Sequence, residues 1–307
     1  MESVTAFSPG GISSFFEPYQ LRQNGKIPAN LRIAARGGGF TTKKGIRTQV
    51  TACKSRKNKI SVYINKNLRR DAYTTETVAR FMLKQTDRKV ALKIEHNVEI
   101  PVGAGYGTSA AGALSTALAM NELLRLGMTF DQVGYFAHVA EIECRTGLGT
   151  VGALMIGGCI LQKEGGPPGL CRIDRIPIKP SFVLVSGCYG PISKTSVLNS
   201  KSISRKIGRE GKKTMKLILS KPDLSNFLQK SEEFALRIGY MTKGIKKLVE
   251  VSKIAGAVGA TQNMLGDAFH AVVEEDRADE ALKALSRHMP REKLFISKID
   301  FEGAKLL

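Results

Sequence analysis

Residues 90–127 hold the strongest constraint on the fold. The segment VALKIEHNVEIP alternates apolar and polar residues as a half-buried strand does. It runs into Pro101-Val-Gly103-Ala-Gly105-Tyr-Gly107-Thr108-Ser109-Ala110-Ala111, then into a long run of helix formers that stops at Gly127. Strand, glycine-rich turn and helix in direct succession oblige the helix to lie back against the sheet that feeds it. The turn packs three glycines and two hydroxyls into eleven positions. Glycines permit a sharp bend and close approach to a ligand, and the first N–H groups of the helix, with its dipole, attract phosphate. Spacing excludes two better-known loops. No Lys precedes Thr108, as G-x-x-x-x-G-K-[ST] requires, and position 108, three after Gly105, is Thr where G-x-G-x-x-G requires Gly.

Upstream, SPGGISSFFEP and RIAARGGGFTTKKGIRTQVT read as strands and glycine-rich turns, and KISVYINKN adds a strand with Ile60, Val62 and Ile64 in alternation. TTETVARFMLK, residues 74–84, sets Val78, Phe81 and Met82 at helical spacing. A β-β-α-β order therefore leads into the turn. Downstream we expect a helix capped by Asp131, then buried strands in LGTVGALMIGGCILQK and PSFVLVSG around a loop at 165–169. A boundary near residue 176 divides the chain into 1–175 and 176–307. The second part reads as a strand at 181–186 and helices near 203–219, 223–237 and 240–253. The strand AFHAVV, the helix DEALKALSRHM and the strand LFISKI follow. Strands and helices segregated in this way argue α+β rather than a doubly wound parallel sheet.

Composition removes several function classes. With 307 residues, 42% of them hydrophobic, the chain can bury a sizeable core. The apolar run from Ala110 is broken by Asn121, Glu122 and Arg125, well short of the roughly 20 residues a membrane span needs. Glu2 stands where a secretory signal carries positive charge, so export is not expected and a cytoplasmic location is. Five cysteines at irregular spacing, with no C-x-x-C pair, point to small buried hydrophobes rather than to zinc or disulfides. The net charge of +20 favours encounter with anions. Its densest stretch, Lys201 to Lys216, has seven basic residues against Glu210 alone and no aromatic residue to stack on a base. We read it as a solvated helix face and expect no nucleic-acid role.

The stretch Pro101 to Ala111 resembles the P-x-x-x-G-L-G-S-S-A-A phosphate loop of the GHMP kinases, with Tyr106 in place of the usual Leu. Among these, archaeal pantoate kinases are similar over nearly the whole chain. The matching segments are Ser8-Pro-Gly-Gly-Ile-Ser-Ser-Phe-Phe16-Glu-Pro18, Arg36-Gly-Gly-Gly-Phe40, Ala137-His-Val-Ala-Glu141, Thr146-Gly-Leu-Gly149, Gly157-Gly158, Gly166-Pro-Pro-Gly169, Ser193-Lys-Thr195 and Met264-Leu-Gly266. The resemblance implies a ribosomal-S5-like first domain joined to a ferredoxin-like second. It also implies transfer of the ATP γ-phosphate to the primary alcohol of pantoate, giving 4-phosphopantoate for coenzyme A. Homoserine or a mevalonate-type acid is the alternative acceptor, and a non-catalytic nucleotide-binding regulator the alternative class.

By the same resemblance, Pro101, Gly103, Gly105, Gly107, Thr108, Ser109 and Ala110 would hold ATP, and Ser109 with Glu141 would hold Mg²⁺. Ser109, Glu141 and Thr150 form the implied catalytic set. Ser8, Arg36 and Arg145 are the implied substrate contacts, the two guanidinium groups being suited to bidentate capture of the pantoate carboxylate or else surface charges. His138, one turn before Glu141, reads as a packing residue. Relatives carry an Asp at the position of Thr150, and a hydroxyl there cannot act as a base near neutral pH. Homoserine kinases are similar in lacking that Asp. The glycine-rich stretch Gly256 to Gly266 also departs from the usual G-A-G-G-G-G. The implied partners are pantoate and ATP, with no membrane and with room for a homodimer.

Overall fold

The computed structural model describes residues 2–20, 33–190, 201–264 and 266–307. Two long strands, β1 (Glu2–Gln20) and β2 (Ile33–Lys54), pair antiparallel, with register shifts between Pro9 and Gly10 and between Ser13 and Phe15. Bulges bend a strand and increase its twist, so one strand pair serves two surfaces. The C-terminal part of β2 pairs with β5 (Val90–Val98), which lies parallel to β3 (Lys59–Ile64). Residues 37–40 pair instead with β6 (Cys159–Glu164). The run Gly37-Gly38-Gly39 has a steric cause, because a Cβ at Gly37 or Gly39 would collide with the Phe15 or Ile12 carbonyl oxygen of β1. Strands β4 (Asn67–Arg69), β7 (Arg172–Ile176) and β12 (Lys305–Leu306) complete this sheet, and β12 pairs with β1.

Helices α1 (Tyr73–Leu83), α2 (Thr108–Leu124) and α3 (Phe130–Glu143) pack with this sheet around one apolar core. Helix α2 is buried at every residue from Ala110 to Met120, which explains why its run is small and apolar all round rather than amphipathic. Two sequence expectations are corrected here. The cap of α3 is Thr129, not Asp131. Its hydroxyl accepts from the Gln132 N–H while the Gln132 side chain accepts from the Thr129 N–H, and Asp131 falls inside the first turn. Residues 150–156, expected within a buried strand, form helix α4 (Thr150–Ile156), which presents Val151, Leu154 and Met155 to the core at helical spacing. The strand begins only at Cys159.

The second sheet contains β8 (Phe182–Gly190), β9 (Gly259–Gln262), β10 (Asp267–Glu274) and β11 (Leu294–Lys298) in the order β11-β8-β10-β9, every pair antiparallel. Helices α5 (Lys201–Ser220), α6 (Leu224–Ile238) and α7 (Lys243–Ile254) connect β8 to β9, and α8 (Ala278–Leu285) connects β10 to β11. That is a ferredoxin-like order, as expected. Helix α7 starts later than predicted because the Thr242 hydroxyl caps it, accepting from the Ile245 N–H. On α5, Arg205, Lys206, Arg209, Lys212, Lys213 and Lys216 are exposed while Ile207, Met215 and Ile218 are buried.

The two sheets share a core. Phe15 and Phe16 of β1 and Phe40 of β2 meet Phe227 and Phe234 of α6 edge-on, with ring centroids 5.5–6.2 Å apart. Edge-to-face pairs at this spacing add to plain burial. Among the described residues, no helix is long and apolar enough to cross a membrane. Ser193-Lys-Thr195, and Leu265 of the segment Met264 to Gly266, lie outside the described residues.

Candidate active site

The glycine-rich turn joins β5 to α2. Gly103, Gly105 and Gly107 have φ of 76°, 83° and 63°, a left-handed region that other residues enter only with strain. The Thr108 hydroxyl donates to the Pro101 carbonyl at 3.2 Å and closes the loop across its mouth. Helix α2 starts at Thr108 with Gly107 as its N-cap, no side-chain cap and no acidic residue in its first turn. Its leading N–H groups and the positive end of its dipole are therefore left for an anion. Ala110 is fully buried where α2 meets the sheet.

Tyr106 anchors this loop from behind. Its ring is fully buried beside Phe295, and its hydroxyl lies 2.7 Å from the Ser186 hydroxyl of β8. Ser186 donates to the Phe269 carbonyl, so Tyr106 is the donor to Ser186. Burial pushes the phenol up, and it stays protonated at neutral pH. The Tyr106 carbonyl accepts from the Gly11 N–H at 3.0 Å, which links the loop to β1 as well.

At the start of α2 the Ser109 hydroxyl donates to Glu141 Oε1 at 2.5 Å. Glu141, on α3, is 1% exposed. Thr146 donates to the same oxygen at 3.1 Å, and Thr74 lies 3.2 Å from Thr146. Gly147 packs so tightly on the carboxylate that any Cβ there would collide with it. Thr150 opens α4 with its methyl 3.0 Å from the position of a Cβ on Gly107 and 3.1 Å from that of one on Gly11. Ser109 and Glu141 are thus in contact, and Thr150 borders the loop.

The predicted substrate contacts stand differently. Ser8 is buried in β1 and donates to its neighbour Pro9 at 3.4 Å. Arg36 bonds Glu17 through Nε at 3.0 Å and Nη2 at 2.5 Å, with the Tyr19 ring 5.1 Å from its guanidinium carbon, so this cation already holds a carboxylate. Arg145 is exposed at the C-terminal end of α3, with φ 56°. His138 is buried one turn before Glu141, and burial pushes its imidazole down to about 4. Its Nε2, like Gln162 Nε2, has no hydrogen-bond partner among the described residues. Gln162 Nε2 lies 3.1 Å from the position of a Cβ on Gly149, beside Thr150. Sequence reading passed over Gln162, whose signal is a lone amide inside the buried strand CILQKE. No group of three or more His, Cys, Asp or Glu side chains is placed to hold a metal among the described residues.

Residues 72–158, which contain the loop, Ser109, Glu141 and Thr150, match the GHMP kinases N terminal domain. The chain is 26% identical to the pantoate kinase of Methanocaldococcus jannaschii over 91% of its own length and 96% of that protein's. It is also 26% identical to the pantoate kinase of Thermococcus kodakarensis, over 92% of each. Among solved structures, a phosphotransferase related to the CoA biosynthesis pathway superposes with a TM-score of 0.89 at 24% identity, covering 100% of this chain and 99% of that one. MDDEF in complex with MVAPP, AMPPCP and magnesium superposes with a TM-score of 0.75 at 16% identity, covering 99% and 98%. The glycine-rich loop is therefore matched in sequence and the two-sheet frame around it in shape, and residues 72–158 are similar to the N-terminal domain of the GHMP kinases.

Proposed function

We propose that this chain transfers the γ-phosphate of ATP to the primary alcohol of pantoate, giving 4-phosphopantoate. The observation that carries the reading is the contact between Ser109 and a buried Glu141 at the open start of α2, beside three left-handed glycines. N–H groups around residues 103–109 bind the β- and γ-phosphates. Ser109 and Glu141 offer adjacent oxygen donors of the hard kind that Mg²⁺ takes, one carboxylate and one hydroxyl, with phosphate and water left to complete its shell. Ser109 and Glu141 would hold Mg²⁺ there, and the ion would supply neutralisation of the charge on the transferring phosphoryl group. The acceptor oxygen bonds the γ-phosphorus as the bond to the bridging oxygen breaks, and ADP leaves. Thr150 cannot take the alcohol proton, which passes to a phosphoryl oxygen or to water. Phosphoryl transfer depends mainly on positioning and charge, so a missing base does not forbid it.

Gln162 is suited to the acceptor, because its buried amide nitrogen lies beside Gly149 and lacks a protein partner among the described residues. Arg145, and Arg36 if it exchanges Glu17, are suited to the carboxylate. The relatives named pantoate kinase support pantoate over other hydroxy acids. The division into 1–175 and 176–307 belongs to the same reading, with the loop clasped between the two sheets.

Thr150 favours one second reading, a nucleotide binder without turnover. Both are tested by incubating the full chain with Mg²⁺, ATP and, separately, pantoate, homoserine and mevalonate, while following ADP and phosphorylated product. Pantoate-dependent turnover is expected, lowered at least about a hundredfold in Ser109→Ala with the melting temperature nearly unchanged. ATP binding with no acceptor-dependent ADP release selects the second reading, and full turnover in Ser109→Ala removes the loop assignment.

A further inference from the structure

The phosphate-type loop is held from behind by residues far from it in sequence. Gly266 lies so close to the Ala104 carbonyl that any Cβ there would collide with it. The Asn263 Cβ is 3.2 Å from the position of a Cβ on Gly105, and its side chain borders the Tyr106 phenol. Main-chain bonds fix this turn, with the Met264 N–H donating to Ser13 at 2.8 Å and the Asn263 N–H to Ala268 at 2.9 Å. His270, fully buried on β10, sets the Asn263 side chain. Its Nδ1 is 2.7 Å from Asn263 Oδ1, its Nε2 is 2.8 Å from the Ser14 hydroxyl of β1, and Phe40 stands edge-on to the ring at 5.7 Å.

The chemistry of these partners fixes the tautomer. An amide oxygen only accepts, so Nδ1 carries the proton, and Nε2 accepts from the Ser14 hydroxyl. Complete burial pushes the imidazole down to about 3, so this neutral form persists through the physiological range. One ring thus spans β1 of the first sheet, β10 of the second and the turn behind Gly105.

We propose that His270 is a positioning residue for the phosphate loop: Nδ1–H holds Asn263 against Gly105 and Tyr106, and Nε2 ties that clamp to Ser14. The proposal rests on the reading of residues 101–109 as the ATP phosphate loop. Three glycines free to turn do not hold a binding shape by themselves, and a shape imposed from outside removes ordering cost from nucleotide binding.

Two variants separate the arms of the ring. His270→Asn keeps a donor near the Nδ1 position and loses Ser14, whereas His270→Gln keeps the Nε2 position and loses Asn263. Asn263→Ala removes the same contact from its other end. On the full chain we would measure hydrogen exchange of amides 103–107, the KM for ATP and the KM for pantoate. In His270→Gln and Asn263→Ala the KM for ATP should rise about tenfold, and exchange at 103–107 should quicken, with the KM for pantoate within about twofold. His270→Asn should show a much smaller change in both loop readouts. Equal loop behaviour in the two His270 variants, or an unchanged KM for ATP in Asn263→Ala, overturns the proposal. If the parent protein binds no ATP, the nucleotide reading falls by itself. The exchange contrast then still decides whether His270 clamps the loop, and its absence overturns that too.

Discussion

Thr150 is the residue at which this chain differs in chemistry from what its family resemblance implies. Its methyl packs on Gly107 and faces Gly11, so the position lies beside the loop rather than away from it. A carboxylate there would occupy the first turn of α4, where negative charge is favoured by about 0.3–1 kcal/mol. Thr150→Asp should therefore fold at least as well as the parent. If position 150 faces the acceptor, turnover of pantoate should rise about tenfold or more, with a new acidic limb in the pH–rate profile. Turnover that stays level in Thr150→Asp and also in Thr150→Val would put the side chain outside the reacting centre. The sharp bend at residues 101–109 was legible in the sequence because glycine spacing states a backbone requirement directly, and all three glycines have the left-handed φ that this implies. The Ser14–His270–Asn263 bridge was not. Ser14 and His270 are 256 residues apart in the chain, and neither side chain is unusual in its local window.

Among the elements, strands with clean alternation and helices with clean periodicity stood where the pattern put them, as β3, β5 and α1 show. The segment 150–156 did not, because a short apolar run between glycines carries no period of its own. Its helical form is decided by packing of Val151, Leu154 and Met155 on the α2–α3 core. The start of α3 was readable through the Thr129–Gln132 capping box, a stronger signal than the Asp131 carboxylate within the turn. Tyr106 shows how one side chain links elements that sequence order separates. Tyr106→Phe removes the buried bond to Ser186 and should cost about 1 kcal/mol. Tyr106→Leu, the residue usual at this position, also leaves space against Phe295 and should cost roughly 2–3 kcal/mol in urea unfolding. If Tyr106→Leu were as stable as the parent, the loop would not depend on this anchor.

At the scale of the molecule, the buried histidines couple stability to pH. His96 lies between Thr48 at 2.7 Å and Thr75 at 3.0 Å, joining β5 to β2 and α1. Burial pushes His96 and His138 down to about 4 and His270 to about 3, all from 6.5. The sign follows from proton counts. Between pH 6.5 and these lower values the unfolded chain binds a proton at each site and the folded chain does not. Stability therefore rises with pH across that window and falls on acidification. Each site contributes a slope approaching about 1.4 kcal/mol per pH unit. Three together should cost several kcal/mol by pH 5, roughly 1–2 kcal/mol per histidine. The net charge of +20, which grows as carboxylates protonate, adds self-repulsion in the same direction. Urea unfolding at pH 7.5, 6.5, 5.5 and 5.0 should show a midpoint that is level above 7 and drops steeply below 6.5. His96→Gln can keep the Thr75 bond without a titrating group, so it should reduce the slope by about one proton's worth while lowering stability at pH 7.5. A slope unchanged in that variant would mean that His96 is not held neutral between its two threonines, and that the acid sensitivity comes from elsewhere in the molecule.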